Sequence, residues 1–195
     1  MVNGTVPCTV AFPAVQAVAF SGTAPAVSLV PRYPTFAASV SSLTPTASTN
    51  VMVIEAGSAL TTRLRRIVVT PGNGTNAGYP TLTLSRNSVA ATTGGTTGTI
   101  PATDLSQGSF SGVVRTGGFS TSGVTTAATA YVFPLPTPAV GNVGAPFEFD
   151  FTNNGMNAGL AIPAGTTNGV MFTHSGLTGA QYFGLLAEWA EESTI

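Results

Sequence analysis

ALTTRLRRIVVT, residues 59–70, holds half of the chain's six cations, Arg63, Arg65 and Arg66, beside a β-branched run. Strict alternation fails inside it. Leu60, Leu64 and Val68 share one parity, while Ile67 and Val69 fall on the other. One extra residue at Arg65–Arg66 repairs the pattern. A β-bulge there brings Leu64, Ile67 and Val69 onto one face and turns the arginines outward or toward a strand end. The stretch is therefore read as one strand of a half-buried sheet.

Its neighbours follow the same rhythm. NVMVIEA (50–56) is a strand turned by Gly57-Ser58, and YPTLTLSR (79–86) alternates Leu82 and Leu84 against Thr81, Thr83 and Ser85. TAYVFPLP (129–136) is a strand stopped by prolines. APFEFDFT (145–152) sets Phe147, Phe149 and Phe151 against Glu148 and Asp150. LAIPAGTTNGVMFTHSG (160–176) gives two strands around a turn, and a final strand lies in TGAQYFGLLAEWAEESTI (178–195). Residues 87–109, rich in Thr and Gly, read as a long surface loop, with a further strand over Phe110–Arg115. The 23 Gly and 14 Pro punctuate the chain at short intervals, and no amphipathic helix exceeds two turns. This pattern predicts an all-β domain, an antiparallel β-sandwich over residues 49–195.

Residues 1–48 differ. Extended apolar pieces alternate with proline, which holds itself and its predecessor extended. They read as an extended N-terminal arm that lies on a neighbour or adds edge strands; an arm free in solution is the alternative. Cys8 is the only cysteine, so neither an intrachain disulfide nor a Cys-based zinc site is expected. The first cation is Arg32, so no secretory leader is expected, and no apolar run reaches membrane-spanning length. The two Asn-Gly-Thr triplets, at Asn3 and Asn73, are read as turns.

Charged residues make up 7% of the chain, against about 25% in an average protein, and the net charge is −1 with no lysine. A domain that lives on phosphate contacts carries a basic excess, so no nucleic acid is expected as a partner. His174 is the only histidine. It reads as a packed or surface residue, or as a pH-sensitive interface residue. Glu148 and Asp150 share a strand face and read as solvated rather than as a glycosidase pair flanking a cleft. The Gly-rich stretches lack the lysine and helix of a phosphate cradle. No catalytic residue, cofactor or metal is expected, and the chain is read as a non-enzyme.

The arginines of 63–66 are assigned to ion pairs with Glu55, Glu148 or Asp150, or with a partner subunit, since the guanidinium fork suits carboxylates. Arg65 or Arg66 is further expected to meet the acidic cluster Glu188–Glu192 of its own chain or a neighbour. Trp189 reads either as core or as an interface anchor. The candidate interface is thus Arg63, Arg65, Arg66, Glu188, Trp189, Glu191 and Glu192.

VMVIEAGSALTTRLRRIVVT (51–70), LAIPAGTTNGVMFTHSG (160–176) and YFGLLAEWAEE (182–192) resemble patterns in the small β-sandwich structural proteins of tailed bacteriophages. The resemblance covers roughly residues 50–70 and 145–192. It implies a jelly-roll-like sandwich assembled as a homotrimer. It also implies a place on the virion, as a head decoration (cement) protein on the major capsid protein at the outer capsid surface, assembled in the host cytoplasm. The alternative it implies is a fibre or spike head that binds a host receptor or glycan. The major capsid protein of a small jelly-roll virus fits less well, because the N-terminal segment lacks a basic genome-binding arm.

Overall fold

A computed structural model describes residues 33–43, 50–71, 81–87, 95–116, 126–134, 144–152, 159–175 and 183–193. The readings of residues 1–32 and 44–48 as arm, of Cys8, of both Asn-Gly-Thr turns, and of 88–94 as loop lie outside the described residues.

The described chain is all β: β1 Thr35–Leu43, β2 Asn50–Glu55, β3 Leu60–Pro71, β4 Thr81–Asn87, β5 Thr96–Gly98, β6 Val113–Thr116, β7 Thr126–Pro134, β8 Phe147–Asp150, β9 Leu160–Ile162, β10 Gly169–Ser175 and β11 Phe183–Ser193. They form two antiparallel sheets packed as a sandwich. The first runs β1-β11-β3-β8, with β9 also on β3; the second runs β5-β6-β2-β10-β4-β7. With the β5–β6 hairpin set aside and β8 and β9 taken as one interrupted strand, successive strands cross between the sheets at every step except β4 to β7. That winding, with β11 between β1 and β3 and β10 between β2 and β4, is the jelly roll.

The bulge falls where alternation required it. Opposite β3, Glu188 pairs with Arg66 and Trp189 with Leu64, so Arg65 is the extra residue. Leu64, Ile67 and Val69 are fully buried as a result. The bulge also splits the next strand. β8 pairs with Arg66–Val69 and β9 with Thr62–Leu64. Between them, the Phe151 N–H donates to the Arg65 carbonyl at 2.8 Å. Gly159 makes this approach possible. Its φ is +85°, and a Cβ there would lie 2.5 Å from the Leu64 carbonyl oxygen.

Two aromatic groups close the flanks between the sheets. Phe36, Phe110 and Trp189 meet with ring centroids 5.2–6.1 Å apart. On the opposite flank, Tyr131 and Phe133 of β7 meet Phe147 and Phe149 of β8 and the adjoining Phe151. Burial of each such side chain contributes about 1.5–3 kcal/mol relative to exposure. β2 is buried along its whole length. Met52 and Ile54 face the core. Val53 and Met171, paired across β2 and β10, are buried on the other side.

Thr35–Leu43, within the arm, is β1, an edge strand hydrogen-bonded to β11, one of the two outcomes expected of the arm. Three elements differ from the sequence reading. The strand expected over Phe110–Arg115 is β6, Val113–Thr116. β5 lies within the stretch read as loop. β7 starts at Thr126, earlier than expected, because its Thr/Ala start has no apolar periodicity to read and two register shifts against β4 accommodate it.

Candidate interaction face

The candidate residues separate by strand parity. On β11, Phe183, Leu185, Ala187, Trp189 and Glu191 are buried, while Glu188 and Glu192 lie on the outer side, opposite Arg66 and Thr61 of β3. The bulge puts Arg65 and Arg66 between inward Leu64 and inward Ile67.

Register then builds the outer face. Arg66 sits directly across from Glu188 and holds it with both arms: Nε donates to Oε2 at 3.0 Å and Nη2 to Oε1 at 2.6 Å. Its Nη1 reaches Glu148 of β8 at 3.3 Å. Arg66 therefore ties three strands together, and these carboxylates, Glu188 first, hold its pKa above the ordinary arginine value. Arg63 pairs with Glu192. Asp150 accepts from the N–H and hydroxyl of Thr152 at 2.7 and 2.6 Å, closing the turn after β8. Of the acceptors proposed for the arginines, Glu148 and the Glu188–Glu192 cluster are realised in the same chain. Glu55 is buried and engaged elsewhere. Arg65, alone of the three, meets none among the described residues.

Trp189 and Glu191 are corrections to the interface set. Trp189 is fully buried, stacked on Phe36 at 6.1 Å. Glu191 is 3% exposed and accepts from the Ser111 N–H at 3.1 Å and from its hydroxyl. Both side chains follow the inward parity of β11, so neither reaches a partner. Glu191 instead joins β11 of the first sheet to the segment entering β6 of the second. Arg86 makes a second inter-sheet tie, donating to the Ala161 carbonyl at 3.0 Å.

The loop read over residues 87–109 is present as Ile100–Phe110, and what the sequence reading missed is how firmly it is anchored. The Phe110 N–H closes it on the Ile100 carbonyl at 2.9 Å. Ala102 and Phe110 plug it into the core. The Thr103 N–H and hydroxyl bind the Thr35 carbonyl at 2.7 and 3.0 Å. At its tip Asp104 accepts from the Ser106 N–H and hydroxyl, a turn that leaves Leu105 85% exposed. Asp104-Leu105-Ser106 was the available signal, since Asp favours such side-chain-capped turns.

His174 is buried, its ring edge-on to Phe183 at 5.8 Å, and burial lowers its pKa. Among the described residues no group of three or more His, Cys, Asp or Glu could hold a metal ion. No helix among them is long and apolar enough to cross a membrane. No protein-family model, curated protein or solved structure matches the chain.

Proposed function

We propose that this chain is a non-enzymatic structural protein of a phage virion, a decoration protein that binds the outer capsid surface as a homotrimer and stabilises contacts between major capsid subunits. The observation that carries the reading is the pairing of jelly-roll winding, a fold used in virus shells, with a chain of very low charge in which Arg63 and Arg66 are tied to glutamates of the same sheet. Such a surface suits permanent docking better than free diffusion. The action is mechanical. Separating capsid subunits also requires removing the bound trimer, and three equivalent sites raise the avidity of each.

The test is removal and return. Particles lacking the chain are expected to release their genome at a lower temperature, and purified chain added back is expected to bind saturably and restore the wild-type value. Unchanged thermal release with and without the chain refutes the reading. A second reading, a fibre or spike head for a host receptor or glycan, draws support from the anchored loop that displays Leu105. It expects blocked host attachment, rather than genome release, when the chain is lost.

A further inference from the structure

A sheet edge presents a row of unpaired N–H and C=O groups, a template for pairing with another chain, and folds blunt their edges against it. Among the described residues the two sheets have four edges, and three of them are blunted. β5 ends the second sheet with three residues. β8 and β9 share the far edge of the first sheet in pieces of four and three residues, split by the bulge. β7 is broken by two register shifts against β4 and ends in Pro134. β1 is the exception. It runs in unbroken register against β11 from Thr35 to Val40, and its sequence, TFAASVSSL, holds neither charge nor proline.

Register shows which of its groups are open. The Glu191 N–H donates to the Pro34 carbonyl, so Phe36, Ala38 and Val40 turn their backbone groups to β11, while Thr35, Ala37 and Ser39 turn theirs away. Thr35 is already engaged, because its carbonyl accepts from Thr103. Among the described residues nothing bonds the outward groups of Ala37 and Ser39. Ser39 is exposed and Ala37 partly so.

These open residues complement themselves. When two β1 strands meet antiparallel about a two-fold axis at Ala38, Ala37 of each copy faces Ser39 of the other, and all their outward N–H and C=O groups pair. An axis at Ala37 would set Ser39 against the engaged Thr35 and leave groups unpaired. Opposed Cα atoms at the axis come within about 4.5 Å, which the Ala38 methyl allows. Val40, only partly buried in one copy, is then set against Phe36 of the other. Like charges do not oppose the meeting: the acid beside Ala37 is Glu188 of β11, and Arg66 holds it. Nothing on this edge selects a foreign strand, whereas a second copy brings the matching edge with it.

We propose that β1 is a homotypic assembly edge, through which two copies of this chain join their first sheets into one continuous sheet about a two-fold axis at Ala38. The contact goes beyond the trimer proposed above and does not rest on it, since it joins one chain, or one trimer, to another.

Sedimentation equilibrium of the full-length chain, free of capsid, tests this together with amide hydrogen exchange. The mass is expected to double with rising concentration, from whichever unit is present when dilute. The Ala37 and Ser39 amides are expected to exchange fast in dilute solution and to slow as the mass doubles. Ser39→Lys sets like charges beside the axis from an exposed position, and is expected to abolish both changes while the urea midpoint stays in place. Ala37→Pro removes an outward N–H that β11 does not use, and is expected to abolish the doubling as well. A mass that stays constant up to the millimolar range overturns the inference. So does a doubling that survives both substitutions, or growth into open-ended chains in place of a doubled unit. Ala37 and Ser39 amides that are slow at every concentration also overturn it, because the edge would then be covered without a two-fold partner. Failure of the virion reading leaves these measurements unaffected, and the two failures are distinguishable.

Discussion

The outer face of the first sheet and the loop Ile100–Phe110 are both open to solvent, yet they engage their polar groups in opposite ways. On the sheet, side chains bind one another: Arg66 joins β3 to β11 and β8, and Arg63 holds Glu192. In the loop, backbone groups and inward side chains bind the fold, and Leu105 is left free at the tip. The conspicuous charge cluster is thus mostly a set of cross-strand ties, and the inconspicuous loop is the more available surface. Charge density in a sequence marks a partner only after register has claimed its share of the ions.

The comparison can be broken most forcefully from beneath the loop. Phe110→Ala removes the ring that anchors it against Phe36 and Trp189. A loss of about 3–5 kcal/mol in urea unfolding is expected, with Trp189→Ala in the same range. A loss below about 1 kcal/mol for either would mean that the loop and the sheet end are not one packed unit.

Next in size is backbone strain at the bulge. Gly159→Ala forces a side chain into a positive φ and against the Leu64 carbonyl. About 1–3 kcal/mol of destabilisation is expected in the same assay. A neutral result would mean that the bulge, and with it the aim of Arg65, is not rigid.

The third effect depends on pH. His174 is held below its unfolded value of 6.5 by burial, so the unfolded chain binds the proton first. Its contribution to stability is complete above about pH 6.5 and declines as the pH falls through and below that value, with a limiting slope of about 1.4 kcal/mol per pH unit. Urea midpoints measured from neutral to mildly acidic pH should show this decline, and His174→Phe should flatten it. An unchanged slope would assign the decline to the carboxylates.

The smallest effect sharpens the contrast directly. In a double-mutant cycle, Arg63→Gln and Glu192→Gln should couple by about 0.5 kcal/mol, less in added salt, as partly exposed pairs do. Leu105→Ser should leave stability within about 0.5 kcal/mol. Coupling near zero at low salt would mean that the sheet ions are not ties.

Much of the fold was legible in the sequence because apolar spacing records which face is buried. The broken parity of residues 60–69 located the bulge, and the Phe147/Phe149/Phe151 alternation located the inner face of β8. Legibility failed where spacing carries no contrast. Phe36, Ala38 and Val40 alternate inward in Thr35–Leu43, but the Pro-rich surroundings hid which sheet edge it joins, and that comes from pairing with β11. Thr96–Gly98 has no apolar side chain at all. At the candidate face, Arg66 with Glu188 and Glu148 was readable as charge complementarity. The inward turn of Trp189 and Glu191 was written in the parity of β11 but masked by the acidic run around them. That Arg65 would be left over could not be read, because it depends on how every other charge pairs in three dimensions.

The central claim is that this jelly roll works as a structural part of a virion shell. Cryo-electron microscopy of purified particles carrying the chain with a C-terminal tag tests it most directly. The account expects ordered density on the outside of the shell at threefold or quasi-threefold positions. Absence of the chain from the particle, or density confined to the tail or fibre tips, would contradict it.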